Sequence, residues 1–295
     1  MKRMRKITEI FAQRRRTLSF ELFPPKTERG RQALFAAAEA LAELRPDFFS
    51  VTYGAGGSTA SGTLDIAVEL QRRFGLPVLH HYTCIRHTRA AIRRALQVMA
   101  SSDIRNILAM RGDPPRDQPE YTPGPDEPRL GRELIQIIRE FGDLFAVGVP
   151  GFPEKHVNAP TKELDSLYLK IKQDDGAEFV ITQFFFDNED YFGYVRRVRD
   201  VGVTMPILPG ILPITDYDKL VSFCRTCGAT LSRSIRRALE PIRRDGQEVY
   251  ARGIELLTRQ CRDLLDRGAP GLHFFCLNRA EPVLTIVNGL RLTVR

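Results

Sequence analysis

The chain has 295 residues, 43% of them hydrophobic and 27% charged, which is the composition of a globular protein long enough for a large core. No apolar run approaches the roughly 18–20 residues that span a membrane, and no signal-peptide core follows the basic amino terminus, so we expect a cytoplasmic protein with no membrane partner. The formal charge of +8 comes from arginines scattered among acidic residues, which favours anionic small molecules over a nucleic-acid partner.

Short apolar segments alternate with segments of helical periodicity along the whole chain. Eight β-then-α units in series predict a single α/β domain over residues 1–295, a (β/α)8 TIM barrel. A doubly wound sheet is the alternative, because the sequence does not show whether the sheet closes. Helical spacing of i, i+3, i+4 and i+7 is found at Ile92, Ala95, Leu96 and Met99, and at Leu164, Leu167, Tyr168 and Ile171. The predicted strands are residues 17–23, 48–53, 77–83, 104–110, 144–149, 178–184, 206–212 and 271–277.

Three segments exceed what a minimal barrel needs. Residues 1–15 are basic and precede the first strand, and we expect them to be flexible. Residues 113–129 contain six prolines and predict a long, semi-rigid loop that borders the active-site mouth. Residues 216–268 hold more helix than one crossover requires, which predicts an extra helix before the last strand.

The first strand carries one glutamate in an otherwise apolar segment, SFELFPPKT at residues 19–27. Alternation places Phe20 and Leu22 on one face, and Ser19, Glu21 and Phe23 on the other. An isolated buried carboxylate costs several kcal/mol or takes up a proton. Glu21 therefore either pairs with a cation as part of the structure or is kept protonatable for chemistry.

Polar and ionisable residues gather where the predicted strands end. In a barrel, the carboxyl ends of all strands converge on one mouth. Each residue also has a structural reading: Asp113 before Pro114 can open a turn, and His81 alone can pack in a core. Most of the eight strands nonetheless carry such groups at the same end, which favours an active-site mouth. The residues are Glu21, Thr52, Tyr53, His80, His81, Thr83, Arg111, Asp113, Glu154, Lys155, His156, Gln183, His273, Asn278, Arg279 and Glu281.

The residue types at this mouth limit the chemistry. Two separate carboxyls, one neutral amide, a tyrosine and several phenylalanines suit a flat heterocycle that forms hydrogen bonds. The sequence has no Ser/His/Asp order and no convincing metal cluster, and the sugar-gripping tryptophans of many glycosidases are missing. Cys224 and Cys227 have CxxC spacing but no second pair, so we interpret them as structural.

Seven segments occur in the order and spacing of a known family. They are SFELFPPKT, VTYGAGGST, MRGDPP, FPEKH, GAEFVITQFFFD, PILPGILPI and LHFFCLNRAE. On these segments the chain resembles the methylenetetrahydrofolate reductases of the bacterial, single-domain type, from about residue 15 to the end. Any one segment is weakly specific, and all seven in order are highly specific.

The resemblance implies a (β/α)8 barrel that binds FAD at the carboxyl ends of its strands. NADH or NADPH passes hydride to the flavin and leaves, and 5,10-methylenetetrahydrofolate then takes its place and is reduced to 5-methyltetrahydrofolate. It also implies a homo-oligomer, small-molecule substrates alone as partners, and no carboxyl-terminal regulatory domain. A folate-handling barrel without flavin and a non-catalytic flavin- or folate-binding protein remain the alternatives.

The resemblance assigns a role to several residues. Glu21 matches the general acid that protonates folate N10, and burial on an apolar strand favours its neutral form. Asp113 matches the aspartate that tunes flavin and pterin. Gln183 matches the amide that binds the pterin, and Phe223 the aromatic ring that stacks on folate or nicotinamide. Tyr53 and Arg279 complete the expected substrate contacts.

A second group of residues matches positions that hold FAD in the family. Arg111 and the two lysines of this group are expected to meet the pyrophosphate. Three positions depart from some family members: Phe152 replaces Tyr, Tyr168 replaces Asn and Ile171 replaces Arg. The expected FAD contacts are Thr52, Tyr53, Ala55, His81, Arg111, Gly112, Asp113, Phe152, His156, Lys170 and Lys172.

Overall fold

The sheet closes into a barrel in the computed structural model, which describes residues 3–53, 60–114 and 118–290. Its strands are all parallel and follow one another in chain order, and the last pairs with the first. The predicted (β/α)8 barrel is confirmed, and the doubly wound alternative is wrong. The strands are β1 (Thr17–Leu22), β2 (Phe48–Val51), β3 (Val78–Thr83), β4 (Asn106–Met110), β5 (Ala146–Gly151), β6 (Phe179–Phe184), β7 (Ile207–Ile211) and β8 (Gly271–Phe275).

Helices surround the barrel in the described part of the chain. More than one helix separates β7 from β8, which confirms the extra helix predicted before the last strand. A 3₁₀ turn, Glu240–Ile242, also lies in this excursion. The helices are α1 (Ile7–Gln13), α2 (Glu28–Ala42), α3 (Ala60–Phe74), α4 (Arg89–Ser101), α5 (Gly131–Arg139), α6 (Lys162–Asp174), α7 (Asn188–Asp200), α8 (Tyr217–Cys227), α9 (Arg233–Leu239), α10 (Gly246–Asp266) and α11 (Glu281–Leu290).

The strands are buried on both faces, and the two faces have different partners. In β1, Phe20 and Leu22 join the large apolar cluster between the sheet and the helices. Ser19 and Glu21 alternate with them and point into the barrel, where both meet His273 of β8. The alternation predicted for β1 therefore places a carboxyl inside the barrel, close to its mouth.

The amino-terminal segment differs from expectation, because residues 7–13 form helix α1 instead of a flexible chain. Ile7 and Ile10 are buried and join a second apolar cluster inside the base of the barrel. The Ile7 amide donates to Asn106 Oδ1 at 2.7 Å. The physical reason is the i, i+3 spacing of these two isoleucines, which gives a short basic segment one apolar face to bury.

Local sequence patterns predicted the structure of two other segments, and the structure shows how each one packs. Helix α6 forms where its apolar spacing predicts, yet Leu164, Leu167, Tyr168 and Ile171 remain exposed, and the helix buries Ser166 and Leu169 instead. The proline-rich loop has no helix or strand in its described residues and is tied to α4 by a hydrogen bond from the Arg89 amide to the Asp126 carbonyl. Among the residues that the structure describes, none of the helices combines the length and apolarity that a membrane crossing requires.

Candidate active site

Glu21 lies at the centre of a buried polar cluster inside the mouth. Its side chain is about 6% exposed, and its Oε2 atom lies 3.3 Å from His273 Nε2. On the other side of the same imidazole, Nδ1 lies 2.8 Å from Ser19 Oγ. One tautomer satisfies both contacts, with Nε2–H donating to Glu21 Oε2 and the Ser19 hydroxyl donating to Nδ1. Ser19 and His273 thus fix the direction in which the Glu21 carboxyl points.

His81 approaches the same carboxyl from β3. Its Nε2 atom lies 3.4 Å from Glu21 Oε2 but has no hydrogen-bond partner within the described residues. Burial lowers the pKa of His81 to about 4, an effect that outweighs the opposing influence of Glu21, so the ring is neutral at pH 7. A neutral imidazole with an unpaired ring nitrogen at the cavity wall is available to a bound ligand.

An apolar cavity of about 350 Å³ opens above this cluster. Gln183 supplies a polar group to its wall, and the Gln183 Oε1 atom accepts a hydrogen bond from the Phe184 amide at 3.0 Å. Such a cavity, mostly apolar with few convergent polar groups, suits a flat heterocycle. Its lining residues include Glu21, Phe23, His81, Met110, Phe152, Gln183, Phe184, Leu212, Phe223, Cys227, Phe275 and Leu277.

A second cavity of about 210 Å³ adjoins the first and shares the Phe223 side chain with it. Two cations and one carboxylate line it: Arg279, which follows β8, and Lys219 of α8, whose Nζ lies 3.8 Å from Oδ2 of Asp216. This cavity suits the anionic end of a ligand whose ring lies in the first cavity. Sequence reasoning missed Lys219, because a single lysine on a helix gives no signal by itself.

The Arg-Gly-Asp stretch forms the rim beside β4. Asp113 is 97% exposed, and its Oδ1 lies 3.9 Å from Arg111 Nη2. Gly112 has φ of 84°, and a Cβ there would lie 2.7 Å from Ile85 Cγ2, so the turn requires glycine. The structure therefore brings Arg111 and Asp113 to the mouth but places the carboxylate in solvent.

A group of charged side chains lies farther out, between β5 and α6. His156 packs edge-on against Phe152 at 4.6 Å, and its amide donates to Asp165 Oδ2 at 3.2 Å. Burial raises the pKa of Asp165 and lowers that of Lys172, and each charge partly offsets the effect on the other. Asp165 was missed, although its i, i+7 spacing to Lys172 places both on one helix face.

Three further residues were expected to contact FAD: Lys170, Ala55 and Thr52. Lys170 forms an ion pair with Asp174 and lies beside Gly202, in the turn before β7, so the structure separates it from the mouth. The physical reason is helical geometry: two residues apart, Lys170 and Lys172 project in different directions. Ala55 lies outside the described residues. Thr52 is half-buried, with its amide donating to the Leu22 carbonyl.

The cysteines are free thiols, and burial raises the pKa of Cys224 to about 11 and also raises that of Cys227. Both are therefore protonated at pH 7, which disfavours metal binding and nucleophilic chemistry. Within residues 3–53, 60–114 and 118–290, no three His, Cys, Asp or Glu side chains converge to hold a metal ion. Cys227 contributes to the wall of the first cavity.

Comparison with known proteins gives consistent results. A family model described as methylenetetrahydrofolate reductase matches residues 5–291. The chain is 38% identical over 302 residues to a probable methylenetetrahydrofolate reductase (NADH) of Oryza sativa subsp. japonica, a match that covers 99% of this chain. It is 33% identical over 278 residues to the 5,10-methylenetetrahydrofolate reductase of Pectobacterium carotovorum subsp. carotovorum, covering 94% of this chain and 91% of that protein.

The plant match covers only 51% of its relative, so the chain spans about half the length of such curated relatives and nearly all of the bacterial one. Among solved structures, an uncharacterized protein from Clostridium thermocellum that binds two copies of 5-methyl-5,6,7,8-tetrahydrofolic acid has a TM-score of 0.63. The two are 13% identical, with 96% of this chain and 97% of that one covered, so this likeness shows the fold alone.

Proposed function

This chain belongs to the methylenetetrahydrofolate reductase family, and on that premise we propose that it reduces 5,10-methylenetetrahydrofolate to 5-methyltetrahydrofolate, with FAD as cofactor and NADH or NADPH as hydride donor. One observation carries the proposal: a buried carboxyl, Glu21, is aimed by His273 at an apolar cavity that also presents the Gln183 amide. The proposal includes the cytoplasm as the compartment and a homo-oligomer as the assembly, as the family resemblance implies.

The residues of the mouth fit a flavin nucleotide. The first cavity is apolar and large enough for a flat ring system, and the unpaired His81 Nε2 at its wall needs a hydrogen-bond partner. Arg111, His156 and Lys172 supply the positive and polar groups that a pyrophosphate requires. When bound, FAD supplies hydride transfer between the nicotinamide nucleotide and the folate.

Glu21 is the residue that moves a proton in this proposal. It donates a proton to N10 of the folate, which opens the five-membered ring so that the methylene carbon can be reduced. The surrounding Phe23, Phe184 and Phe275 side chains keep water away from this carboxyl. Because His273 and Ser19 hold it from below, the carboxyl has one orientation toward the cavity.

The folate occupies both cavities, with its pterin in the first and its glutamate end in the second. Gln183 orients the pterin in the first cavity through its side-chain amide, and Phe223 stands between the two cavities. Arg279 and Lys219 bind the carboxylates of the glutamate end in the second cavity. Substrate orientation therefore follows from one neutral amide at one end and two cations at the other.

A barrel that handles folate without flavin is the competing function. The Clostridium thermocellum protein of the same fold binds 5-methyltetrahydrofolic acid, so the fold alone does not require redox chemistry. The two functions differ in a directly visible property, because only the flavin enzyme takes up FAD and absorbs visible light. The presence of Glu21 in the cavity favours the enzyme, since mere binding needs no buried acid.

The test is a visible spectrum of the purified protein with FAD, followed without oxygen. NADH or NADPH is added first, and 5,10-methylenetetrahydrofolate second. We expect the flavin bands to bleach with one nucleotide and to return with the folate, which also identifies the donor. Tetrahydrofolate, which lacks the methylene bridge, serves as the control and should leave the flavin reduced.

Two results would contradict the proposal in different ways. A protein that takes up no FAD while binding folate would establish the flavin-free barrel. If the nucleotide bleached the flavin but the folate did not restore its bands, the reduced flavin would pass its electrons to a different acceptor.

A further inference from the structure

An aromatic cluster at the carboxyl ends of β2 and β3 lies outside the two cavities described above. The Tyr53 hydroxyl is 3.0 Å from His87 Nε2. The His87 ring stacks on Tyr82 with 5.9 Å between centroids and 19° between planes. The Tyr53 ring meets Tyr82 edge-on at 5.7 Å and 81°. Each ring of the three thus contacts the other two.

The Tyr53 hydroxyl and the His87 ring share one hydrogen bond between neutral groups. Burial raises the pKa of Tyr53 and lowers that of His87, so both side chains are neutral at pH 7. The phenol is a stronger acid than an imidazole N–H, so we assign Tyr53 as the donor and His87 Nε2 as the acceptor, with the ring proton on His87 Nδ1.

The backbone that carries His87 is constrained on both sides. The His87 amide donates to the Cys84 carbonyl at 3.2 Å, and Arg86 before it has φ of 61°, in the left-handed region. Thr88, directly after His87, caps α4 by accepting a hydrogen bond from the Ala91 amide at 3.2 Å. The imidazole therefore projects from a tight turn locked to a helix, which is a rigid support.

Tyr53 has less support of its own. It lies two residues beyond the end of β2, and the backbone contact before it is the hydrogen bond from the Thr52 amide to the Leu22 carbonyl at 3.0 Å. Its ring is held by the phenol hydrogen bond and by the edge-on contact with Tyr82. The orientation of a side chain at the mouth thus depends on an imidazole 34 residues later in the sequence.

We infer that His87 is a positioning residue for the cofactor side of the mouth: it accepts the hydrogen bond of the Tyr53 hydroxyl and so fixes the Tyr53 ring in the orientation that contacts bound FAD. This inference rests on the proposed function, which supplies FAD as the ligand, and on the family resemblance, which names Tyr53 among the expected FAD contacts. In this proposal, His87 acts on FAD through Tyr53.

Two quantities are measured for the wild type and each variant. They are the FAD dissociation constant, from quenching of flavin fluorescence, and the visible circular dichroism of the bound flavin. His87→Phe keeps a ring against Tyr82 but removes the acceptor, and Tyr53→Phe removes the donor. We expect each to weaken FAD binding about fivefold, the usual size of one neutral hydrogen bond, with the same change in the flavin spectrum. The double variant should be no weaker than either single one.

His87→Gln is the rescue variant, because its side-chain oxygen can accept the same hydrogen bond, and it should restore affinity to within about twofold. Unchanged affinity in His87→Phe, or additive losses in the double variant, would overturn the inference while leaving the flavin enzyme intact. A wild-type protein that takes up no FAD would overturn the proposed function and this inference together.

Discussion

The two ends of the barrel are built on opposite principles. At the base, α1 covers the opening, and Ile7 and Ile10 fill it together with Phe48, Leu79 and Phe179. The buried polar groups there are paired. Asn106 accepts from the Ile7 amide and donates to the Arg5 carbonyl, and Asp47 accepts from the Leu18 amide.

At the mouth, the opposite holds. A cavity of about 350 Å³ remains open, and the buried His81 Nε2 has no hydrogen-bond partner among the described residues. Glu21 is placed where a carboxyl costs free energy unless it has hydrogen bonds. The base therefore stabilises the fold. The mouth keeps polar groups available to a ligand, and this lowers the free energy of unfolding.

Glu21→Gln gives the sharpest test of the mouth and the largest expected effect. Glutamine keeps the size and a hydrogen-bond acceptor but has no proton to give, so reoxidation of the reduced flavin by 5,10-methylenetetrahydrofolate should slow by about 10³-fold. Reduction by the nicotinamide nucleotide should change little. Stopped-flow absorbance of the two half-reactions measures both, and Glu39→Gln on the exposed face of α2 is the matched control. Equal slowing of both half-reactions would contradict the role of Glu21 as proton donor.

Ile10→Ala tests the base. Removing a buried isoleucine side chain leaves a cavity, and we expect the free energy of unfolding to fall by about 3 kcal/mol. The folate half-reaction should be unaffected, because the base lies at the far end of the barrel from Glu21. Urea denaturation measures the loss, with Gln13→Ala on the exposed side of α1 as control. A large change in the half-reaction would show that the two ends are coupled.

His80→Leu tests a neighbour of the mouth that faces away from it. His80 packs on the outer side of β3, both its ring nitrogens lack a partner in the described structure, and burial lowers its pKa to about 3. Below pH about 6.5 the unfolded chain binds a proton that the folded chain excludes, so stability falls as the pH falls toward 3.

Leucine removes this loss. The variant should gain about 2 kcal/mol over the wild type at pH 5 relative to their difference at pH 7. Urea denaturation at the two pH values measures this. If the stability of both proteins depended on pH in the same way, another group, such as His81, would cause the loss of stability at low pH.

The two lysines of α6 give the smallest expected effect and a matched pair. Lys172→Met should weaken FAD binding about tenfold through loss of a charge-assisted contact, whereas Lys170→Met should leave it unchanged. Fluorescence titration with FAD measures both, and thermal melting confirms that both variants fold. Equal losses would place Lys170 at the cofactor after all.

The sequence allowed some of these features to be predicted because they depend on local patterns. Eight apolar segments separated by helical periodicity predicted every strand within a few residues, and the alternation in β1 predicted that Glu21 lies on the face opposite Phe20 and Leu22. The family resemblance named Glu21, His81, Gln183 and Phe223 as site residues, and the side chains of these four line one cavity.

Other features depended on contacts that no local pattern reveals. The basic segment before β1 became a helix because an opening in the base was available to Ile7 and Ile10. Four apolar residues of α6 have the spacing of a buried face but remain exposed: Leu164, Leu167, Tyr168 and Ile171. No sequence pattern marks Asp165, Lys219 or His87 as part of a site. Only their neighbours in space do so.

Consecutive residues were enough to indicate the eight βα units, the strand ends at which polar groups gather and the family to which the chain belongs, because strand periodicity and motif spacing are local properties. Closure of the sheet was not among them, since it depends on the pairing of β1 with β8. Three-dimensional contacts alone bring His273 and Ser19 to Glu21, pair Lys170 with Asp174, and join His87 to Tyr53. The physical reason is that hydrogen bonds and charge interactions act over a few ångströms in space, between residues that lie up to 254 positions apart in the chain.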